Sequence, residues 1–242
     1  MRWEIDERVD GERLVGHLAV PAAASGRRPA VLVWPAIHGL NPYVKAVADE
    51  LAQAGWVAFS VDYYDGAGAP PLRDAGEVAT AVASLSDPGV LRKGKAALQY
   101  LRSRPEVDGE RLAALGFCIG GMYAFQMGCE PVGLKAAVDF YGMIRYDRLT
   151  AEKPLHPIDR VSELRCPLLA HFGTEDHLLP PEMVDAFYQA LASQRPVFEF
   201  YRYPGAGHAF HDWTRPGFRP VAAKEAWSRT LTFLSWYLAQ ER

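Results

Sequence analysis

The sequence has 242 residues, of which 49% are hydrophobic and 23% charged, and its formal net charge is −3. This composition is typical of a single packed domain over residues 1–242, and the mixed charges argue against a nucleic-acid-binding patch. The charged N-terminus is unlike a signal peptide, and no window approaches the ~18 apolar residues of a membrane span. Three cysteines are too few for a disulfide framework. These features predict a cytoplasmic protein with no membrane or nucleic-acid partner.

The predicted elements begin with a β-hairpin and then alternate between strands and helices. The hairpin pairs residues 3–9 with residues 14–20 across a turn at Asp10-Gly11. After it, short apolar runs predict strands and helical spacing of apolar residues predicts helices. The strands are predicted at 30–34, 57–61, 112–117, 136–140, 168–172 and 198–203, and the helices at 42–54, 90–103, 120–128, 182–193 and 222–239. This alternation indicates an α/β fold whose mostly parallel central sheet has helices on both faces.

Two segments lack a clear period: residues 63–77, which are rich in Gly, Ala and Pro, and residues 143–166. Each follows a predicted strand, so both are expected at the carboxyl edge of the sheet, where ligand crevices form in open α/β folds. They are either plain surface connections or the walls of a pocket.

The most informative motif is Gly-Phe-Cys-Ile-Gly-Gly at residues 116–121, which follows a strand and opens a helix. A tight strand-to-helix turn strains its central residue and requires neighbours with almost no side chain, which explains the pattern G-x-nucleophile-x-G. The turn presents Cys118 as a nucleophile, and the helix N-terminus behind it favours a thiolate. The alternative is a small buried cysteine in a glycine-rich turn. Cys129 and Cys166 lack this setting and are expected to be structural.

A carboxylate and a histidine follow two later strands at the same edge of the sheet. When such an elbow carries the nucleophile, the acid and then the histidine follow it along the chain. Asp176 and His208 occupy loops in that order. Glu175 competes with Asp176, and His177 and His211 compete with His208, because strand-end geometry alone does not choose between neighbours. A metal site built from these histidines and Asp176 is disfavoured, since no metal-ligand spacing appears.

Acyl transfer also requires donors for the oxyanion of the tetrahedral intermediate. The amide of Ile119, directly after the nucleophile, is one candidate. The second is the amide of Ile37, in the loop after the first central strand, where Gly39 permits a sharp bend. The alternative is that this loop is an ordinary strand-to-helix turn.

The sequence resembles the dienelactone hydrolase family, the cysteine branch of the α/β-hydrolases, over nearly its whole length. The resemblance rests on AVLVWPAIHGLN, GWVAFSVDYY, GFCIGGMYAF, HFGTEDHLLP and YPGAGHAF, in that order. It implies an α/β-hydrolase fold and a triad of Cys118, His208 and Asp176. It also implies an oxyanion hole formed by the Ile37 and Ile119 amides, and no metal or organic cofactor.

Two positions depart from the best-known members of that family. Those members have a glutamate in the oxyanion loop that contacts the thiol, where this sequence has Ala36. They bind a substrate carboxylate with arginines, one of them at a position where this sequence has Asp212. An acid there repels a carboxylate, so an altered, neutral and aromatic-contacting substrate is expected, although Arg73 offers a positive charge nearby. The candidate substrate-binding residues are His38, Tyr64, Tyr141, Phe210 and Trp213.

These observations predict a hydrolase that cleaves a carboxylic ester or lactone through Cys118 and a thioacyl-enzyme intermediate. Its expected partner is a small-molecule ester or lactone, and its expected state is a monomer or small homo-oligomer. Two alternatives remain open: a non-hydrolytic isomerase or cyclase of a biosynthetic pathway, which Ala36 motivates, and a binding protein with a vestigial triad. The fold does not separate these cases, because function resides in the site.

Overall fold

The structure, a computed structural model, describes residues 1–22 and 26–239. Its strands in chain order are β1 (Arg2–Val9), β2 (Glu12–Ala19), β3 (Arg28–Trp34), β4 (Val57–Val61), β5 (Val107–Phe117), β6 (Ala136–Phe140), β7 (Leu168–Gly173) and β8 (Phe198–Tyr203). They form one sheet in the order β1-β2-β4-β3-β5-β6-β7-β8. The pairs β1–β2 and β2–β4 are antiparallel, and all other neighbours are parallel.

Helices cover both faces of this sheet. They are α1 (Pro42–Gln53), α2 (Ala75–Ser84), α3 (Asp87–Ser103), α4 (Ile119–Cys129), α5 (Pro181–Gln194) and α6 (Pro220–Ala239), together with a 3-10 helix at Pro157–Glu163. Neighbouring residues of a strand point to opposite faces. On β6 and β7 this places Asp139 against α4, and His171 against Thr230 of α6. The predicted fold class is therefore confirmed.

The central strands are buried along almost their whole length, as parallel strands between two helical layers must be. Every residue of β4 and of β6 is buried. The N-terminal hairpin forms one border of the sheet, and its turn at Asp10-Gly11 has two positive φ angles, as a two-residue hairpin turn requires. Among residues 1–22 and 26–239, none of the helices has the length and hydrophobicity that a membrane span needs.

Three features differ from the sequence-based prediction. The sequence does not predict helix α2, because only Ala81 of its residues is buried and an apolar stripe is missing. Asp74 caps its N-terminus, where the side chain accepts a hydrogen bond from the Glu77 amide at 2.9 Å. Strand β5 starts five residues earlier than predicted, because Val107 pairs with Arg28 of β3 ahead of a bulge that puts extra residues into β5. The 3-10 helix interrupts the aperiodic segment 143–166.

Candidate active site

Cys118 lies between β5 and α4 in a strained backbone conformation, with φ 57° and ψ −126°. Glycine is required at positions 116 and 120, because other backbone atoms lie where a Cβ would be. A Cβ on Gly116 would overlap the Gly120 carbonyl, and a Cβ on Gly120 would overlap the Pro35 carbonyl oxygen. The Cys118 amide donates to the Phe140 carbonyl at 2.9 Å, which ties the turn to the end of β6. The thiol is half-buried at the carboxyl edge of the sheet.

The loops after β7 and β8 bring a carboxylate and an imidazole together at this edge. His208 Nδ1 and Asp176 Oδ2 are 2.8 Å apart, and the Asp176 side chain is buried. The second Asp176 oxygen accepts from the Leu178 amide at 2.9 Å, which fixes the carboxylate. The other ring nitrogen of His208, Nε2, is buried and has no hydrogen-bond partner in the described part of the chain. It is therefore available to the Cys118 thiol.

The Cys118 thiol and the His208 imidazole shift each other's pKa. Burial raises the pKa of Cys118, but the charge of the nearby His208 and the Ile119 amide outweigh burial, and the pKa lies below its usual value. Burial lowers the pKa of His208, but Cys118 and Asp176 raise it to about 10. Both directions favour a proton on the imidazole and a negative charge on sulfur, which is the reactive form of cysteine.

Two adjacent tyrosines hold the loop after β3 by hydrogen bonds to its backbone carbonyls. The Tyr63 hydroxyl donates to the Pro35 carbonyl at 2.6 Å, and the Tyr64 hydroxyl donates to the Ile37 carbonyl at 2.7 Å. Each bond fixes the peptide plane that it joins, and the Ile37 amide has no acceptor among the described residues. The Ile119 amide lies at the start of α4, close enough to lower the pKa of the Cys118 thiol. The geometry is suited to two oxyanion donors.

His211 occupies a buried position behind Cys118. Its Nδ1 and the Tyr43 hydroxyl are 2.7 Å apart. Its ring stacks on that of Phe117, the residue before Cys118, with the two ring centroids 5.5 Å apart. Burial lowers the pKa of His211 to about 4, so the imidazole is neutral. Trp213 is 45% exposed, and its ring packs edge-to-face with that of Tyr43, with the centroids 4.8 Å apart. Tyr43 therefore links a buried histidine to an aromatic residue at the surface.

A small charged cluster lies beside the oxyanion loop. Asp212 is buried, and its Oδ1 accepts from the Thr214 amide at 2.9 Å and the Thr214 hydroxyl at 2.6 Å. Its Oδ2 is 3.7 Å from Arg215 Nε. Burial and the charge of Arg215 lower the pKa of His38 to about 4, so this imidazole is neutral. Asp212 is thus satisfied within its own loop.

The dienelactone hydrolase family model matches residues 14–238, nearly the whole chain. The chain belongs to the dienelactone hydrolase family. A Bradyrhizobium relative named "Probable 2-oxo-3-(5-oxofuran-2-ylidene)propanoate lactonase" is 40% identical over 100% of this chain and 96% of its own length. A "Putative carboxymethylenebutenolidase" of Salmonella typhimurium is 32% identical over 94% of this chain and 84% of its own length.

The crystal structure of a "Putative Dienelactone Hydrolase" from Klebsiella pneumoniae superposes with a TM-score of 0.91. It is 29% identical, and the match covers 100% of this chain and 99% of that chain. These findings confirm the predicted resemblance to the dienelactone hydrolase family, the α/β-hydrolase fold and the assignment to ester and lactone hydrolases.

The other residues that the sequence analysis singled out in this dienelactone hydrolase fold differ from one another in burial and in contacts. Tyr141 has a positive φ of 44°, packs edge-on against His208 at 5.1 Å, and has a buried hydroxyl without a described partner. Phe210 is fully buried behind Tyr141. Arg73 is exposed and pairs with Glu77, the first-turn acid of α2. Cys129 and Cys166 are buried, and burial raises the pKa of each thiol to about 12.

Sequence reasoning missed Asp139 and Arg215. Asp139 had a signal: it is a carboxylate inside the apolar run Ala-Ala-Val-Asp-Phe of a buried strand, where charged residues are rare. Arg215 had none, because only the folding of its loop brings it back to Asp212 and His38.

Proposed function

We propose that the protein hydrolyses a carboxylic ester or lactone through Cys118, with His208 as acid and base and Asp176 as the group that orients it. One observation carries the proposal. The His208 imidazole is bound to Asp176 by one nitrogen, while its other nitrogen is buried, has no hydrogen-bond partner among the described residues, and is coupled to a thiol on a strained elbow. No element of the fold itself needs this arrangement.

The proposed reaction has two halves. The Cys118 thiolate attacks the carbonyl carbon, and the oxyanion accepts hydrogen bonds from the Ile37 and Ile119 amides. The ring C–O bond breaks, and the leaving oxygen takes the proton of the His208 imidazolium. Water then gives a proton to His208 and attacks the thioester, so the carboxylic acid leaves and the thiolate is restored. Asp176 keeps the imidazole in the required tautomer throughout.

For the substrate class, we propose an unsaturated five-membered lactone that carries a carboxylate side chain. The 40%-identical Bradyrhizobium relative is named for a 5-oxofuran-2-ylidene propanoate, which is such a lactone. Breaking an enol lactone releases an enolate, a good leaving group that suits a thiolate nucleophile. Thr214 and Arg215 satisfy the Asp212 carboxylate, which reduces its repulsion of a substrate carboxylate. Arg215 is half-buried beside the neutral His38 and is the cation proposed for the substrate carboxylate.

The first experiment tests the nucleophile. Wild type, Cys118→Ala and the matched control Cys166→Ala are assayed on p-nitrophenyl acetate and on dienelactones, with intact-protein mass spectrometry after rapid acid quench. We expect hydrolysis and an acyl adduct in wild type and control, and neither in Cys118→Ala. Activity that persists in Cys118→Ala contradicts the assignment of the nucleophile. Turnover of a lactone without release of an acid supports an isomerase or cyclase.

The second experiment tests the substrate class with Arg215→Ala, and with Arg219→Ala as the control. Arg219 is an exposed arginine four residues further along the same loop. Loss of one charge-assisted pair costs about 1.5–3 kcal/mol, so KM for a carboxylate-bearing lactone should rise at least tenfold in Arg215→Ala only. KM for the neutral p-nitrophenyl acetate should not change. Equal effects on both substrates would show that Arg215 acts on the fold and not on the carboxylate.

A further inference from the structure

Asp139 is a buried carboxyl group that the proposed mechanism does not use. It lies on β6, pairs in register with Gly116 of the elbow, and is 2% exposed. Its Oδ1 accepts from the Gly142 amide at 2.7 Å. This acceptor joins β6 to the loop that carries Tyr141, the residue packed on His208.

The same carboxyl group fills the space beneath the first turn of α4. A Cβ on Gly121 would overlap Asp139 Oδ1, and a Cβ on Gly142 would overlap Oδ1 and crowd the Met122 amide. Two glycines are therefore required to make room for one carboxyl group. Gly121 and Met122 both donate to the Cys118 carbonyl, at 2.9 and 3.2 Å. Asp139 thus packs against the turn that shapes the nucleophile.

We propose that Asp139 is a positioning residue for Cys118: its carboxyl group joins the first turn of α4 to the loop after β6, and the gain or loss of its proton changes the reactivity of the thiol. The inference rests on the proposed role of Cys118 as the nucleophile. A carboxylate at the N-terminus of α4 opposes the positive end of the helix, which otherwise favours the thiolate. The neutral acid keeps the packing without that charge.

The charges around Asp139 leave it free to titrate. Burial raises its pKa to about 7, against the hydrogen bond from Gly142, and within residues 1–22 and 26–239 no charged side chain offsets the shift. On the same face of the sheet, Asp87 is paired with Lys153, and Arg160 with Glu130 and Glu163. Tyr141 stays neutral because burial raises its pKa, and His171 stays neutral because burial lowers its pKa on the other face. Among these groups, Asp139 is therefore the one whose charge changes near neutral pH.

The experiment measures the rate at which iodoacetamide alkylates Cys118 between pH 5 and 10, by intact-protein mass spectrometry, in wild type and Asp139→Asn. We expect the midpoint of the profile to lie about 0.5–1 pH unit lower in Asp139→Asn than in wild type, because the variant lacks the negative charge that raises the pKa of the thiol. Superimposable profiles would overturn the proposal. Alkylation does not require turnover, so a failure here is distinct from a failure of the hydrolase assignment.

A reciprocal measurement keeps the proposal testable if Asp139→Asn folds poorly. Coupling between two titrating groups acts equally in both directions. Asp139 is therefore titrated by NMR of carboxyl-¹³C-labelled aspartate in wild type and in Cys118→Ala. Loss of the thiolate should lower the Asp139 midpoint by the same 0.5–1 pH unit. An unchanged midpoint would overturn the coupling.

Discussion

Two adjacent acidic residues, Asp176 and Glu175, compete as the carboxylate partner of His208, and their surroundings distinguish them. Asp176 is buried and 2.8 Å from His208 Nδ1, whereas Glu175 is exposed. Asp176→Asn keeps the shape but removes the charge and the tautomer control, so kcat/KM should fall about 10³–10⁴-fold. Glu175→Gln is the matched control and should stay within about twofold. Steady-state kinetics on one chromogenic ester decides the matter, and a comparable loss in Glu175→Gln would reverse the assignment.

Tyr64 holds the loop after β3, the proposed oxyanion loop, through a single hydroxyl. Its bond to the Ile37 carbonyl fixes the peptide between Ile37 and His38, next to the Ile37 amide, and such a bond contributes about 0.5–1.5 kcal/mol. Tyr64→Phe should therefore lower kcat three- to tenfold and leave KM nearly unchanged, because the oxyanion forms only in the transition state. Tyr188→Phe, an exposed tyrosine on α5, is the control. A rise in KM with constant kcat would instead make Tyr64 a substrate contact.

At the scale of elements, α4 approaches β3 so closely that one glycine decides the packing. A Cβ on Gly120 would overlap the carbonyl oxygens of Trp34 and Pro35, which belong to backbone that cannot rotate away. Gly120→Ala should lower the free energy of unfolding by about 2 kcal/mol or more and abolish esterase activity. Gly76→Ala, inside α2 with only the Asp74 side chain nearby, should be neutral or stabilising. Urea denaturation of both variants tests the contrast.

Elements with a strong local signal were predicted, and elements that depend on distant pairing were not. Strands β6 and β8 have the predicted bounds, and α4 begins at the glycine-rich turn that follows β5. The early start of β5 depends on the pairing of Val107 with Arg28 of β3, about eighty residues away, which no local pattern encodes. The buried His211–Tyr43 pair likewise joins residues 168 positions apart. Long-range side-chain pairs are the part of the site that sequence alone left out.

At the scale of the whole molecule, one buried ion pair ties the long segment 143–166 to the helical layer. Lys153 Nζ is 2.6 Å from Asp87 Oδ1 and 3.1 Å from the Tyr123 hydroxyl of α4. The Tyr146 hydroxyl donates to the second Asp87 oxygen at 2.7 Å. Burial lowers the pKa of Lys153, against the attraction of Asp87. The pair fixes the position of this segment, but burying the two charges carries a large desolvation cost that offsets much of their attraction.

Removing one partner of this pair should be worse than removing both charges. Lys153→Met leaves Asp87 buried and unpaired, so the free energy of unfolding should drop by about 3–5 kcal/mol. Asp87→Asn combined with Lys153→Met should lose clearly less than the sum of the two single variants. A double-mutant cycle by chemical denaturation measures this. Additive losses would mean that the two side chains act independently.

The buried Asp139 also makes the stability of the whole molecule depend on pH. Its pKa is about 7 in the folded chain and 3.8 when exposed, so between these values the unfolded chain releases a proton that the folded chain keeps. Stability from this group is therefore lost as pH rises from about 4 to 7, and the loss is complete above 7. Asp139→Asn removes the effect, so its melting temperature relative to wild type should rise between pH 5 and 8.

The size of that rise is bounded by the pKa shift. At about 1.36 kcal/mol per pKa unit, the gain of Asp139→Asn over wild type is at most about 4 kcal/mol between the two ends of the range. Asp147→Asn, at an exposed position of the segment 143–166, is the matched control and should follow wild type at every pH. The amide keeps the shape and the Gly142 bond, so packing defects would shift stability equally at all pH values. A constant difference between Asp139→Asn and wild type would therefore mean that Asp139 keeps or loses its proton equally in both states.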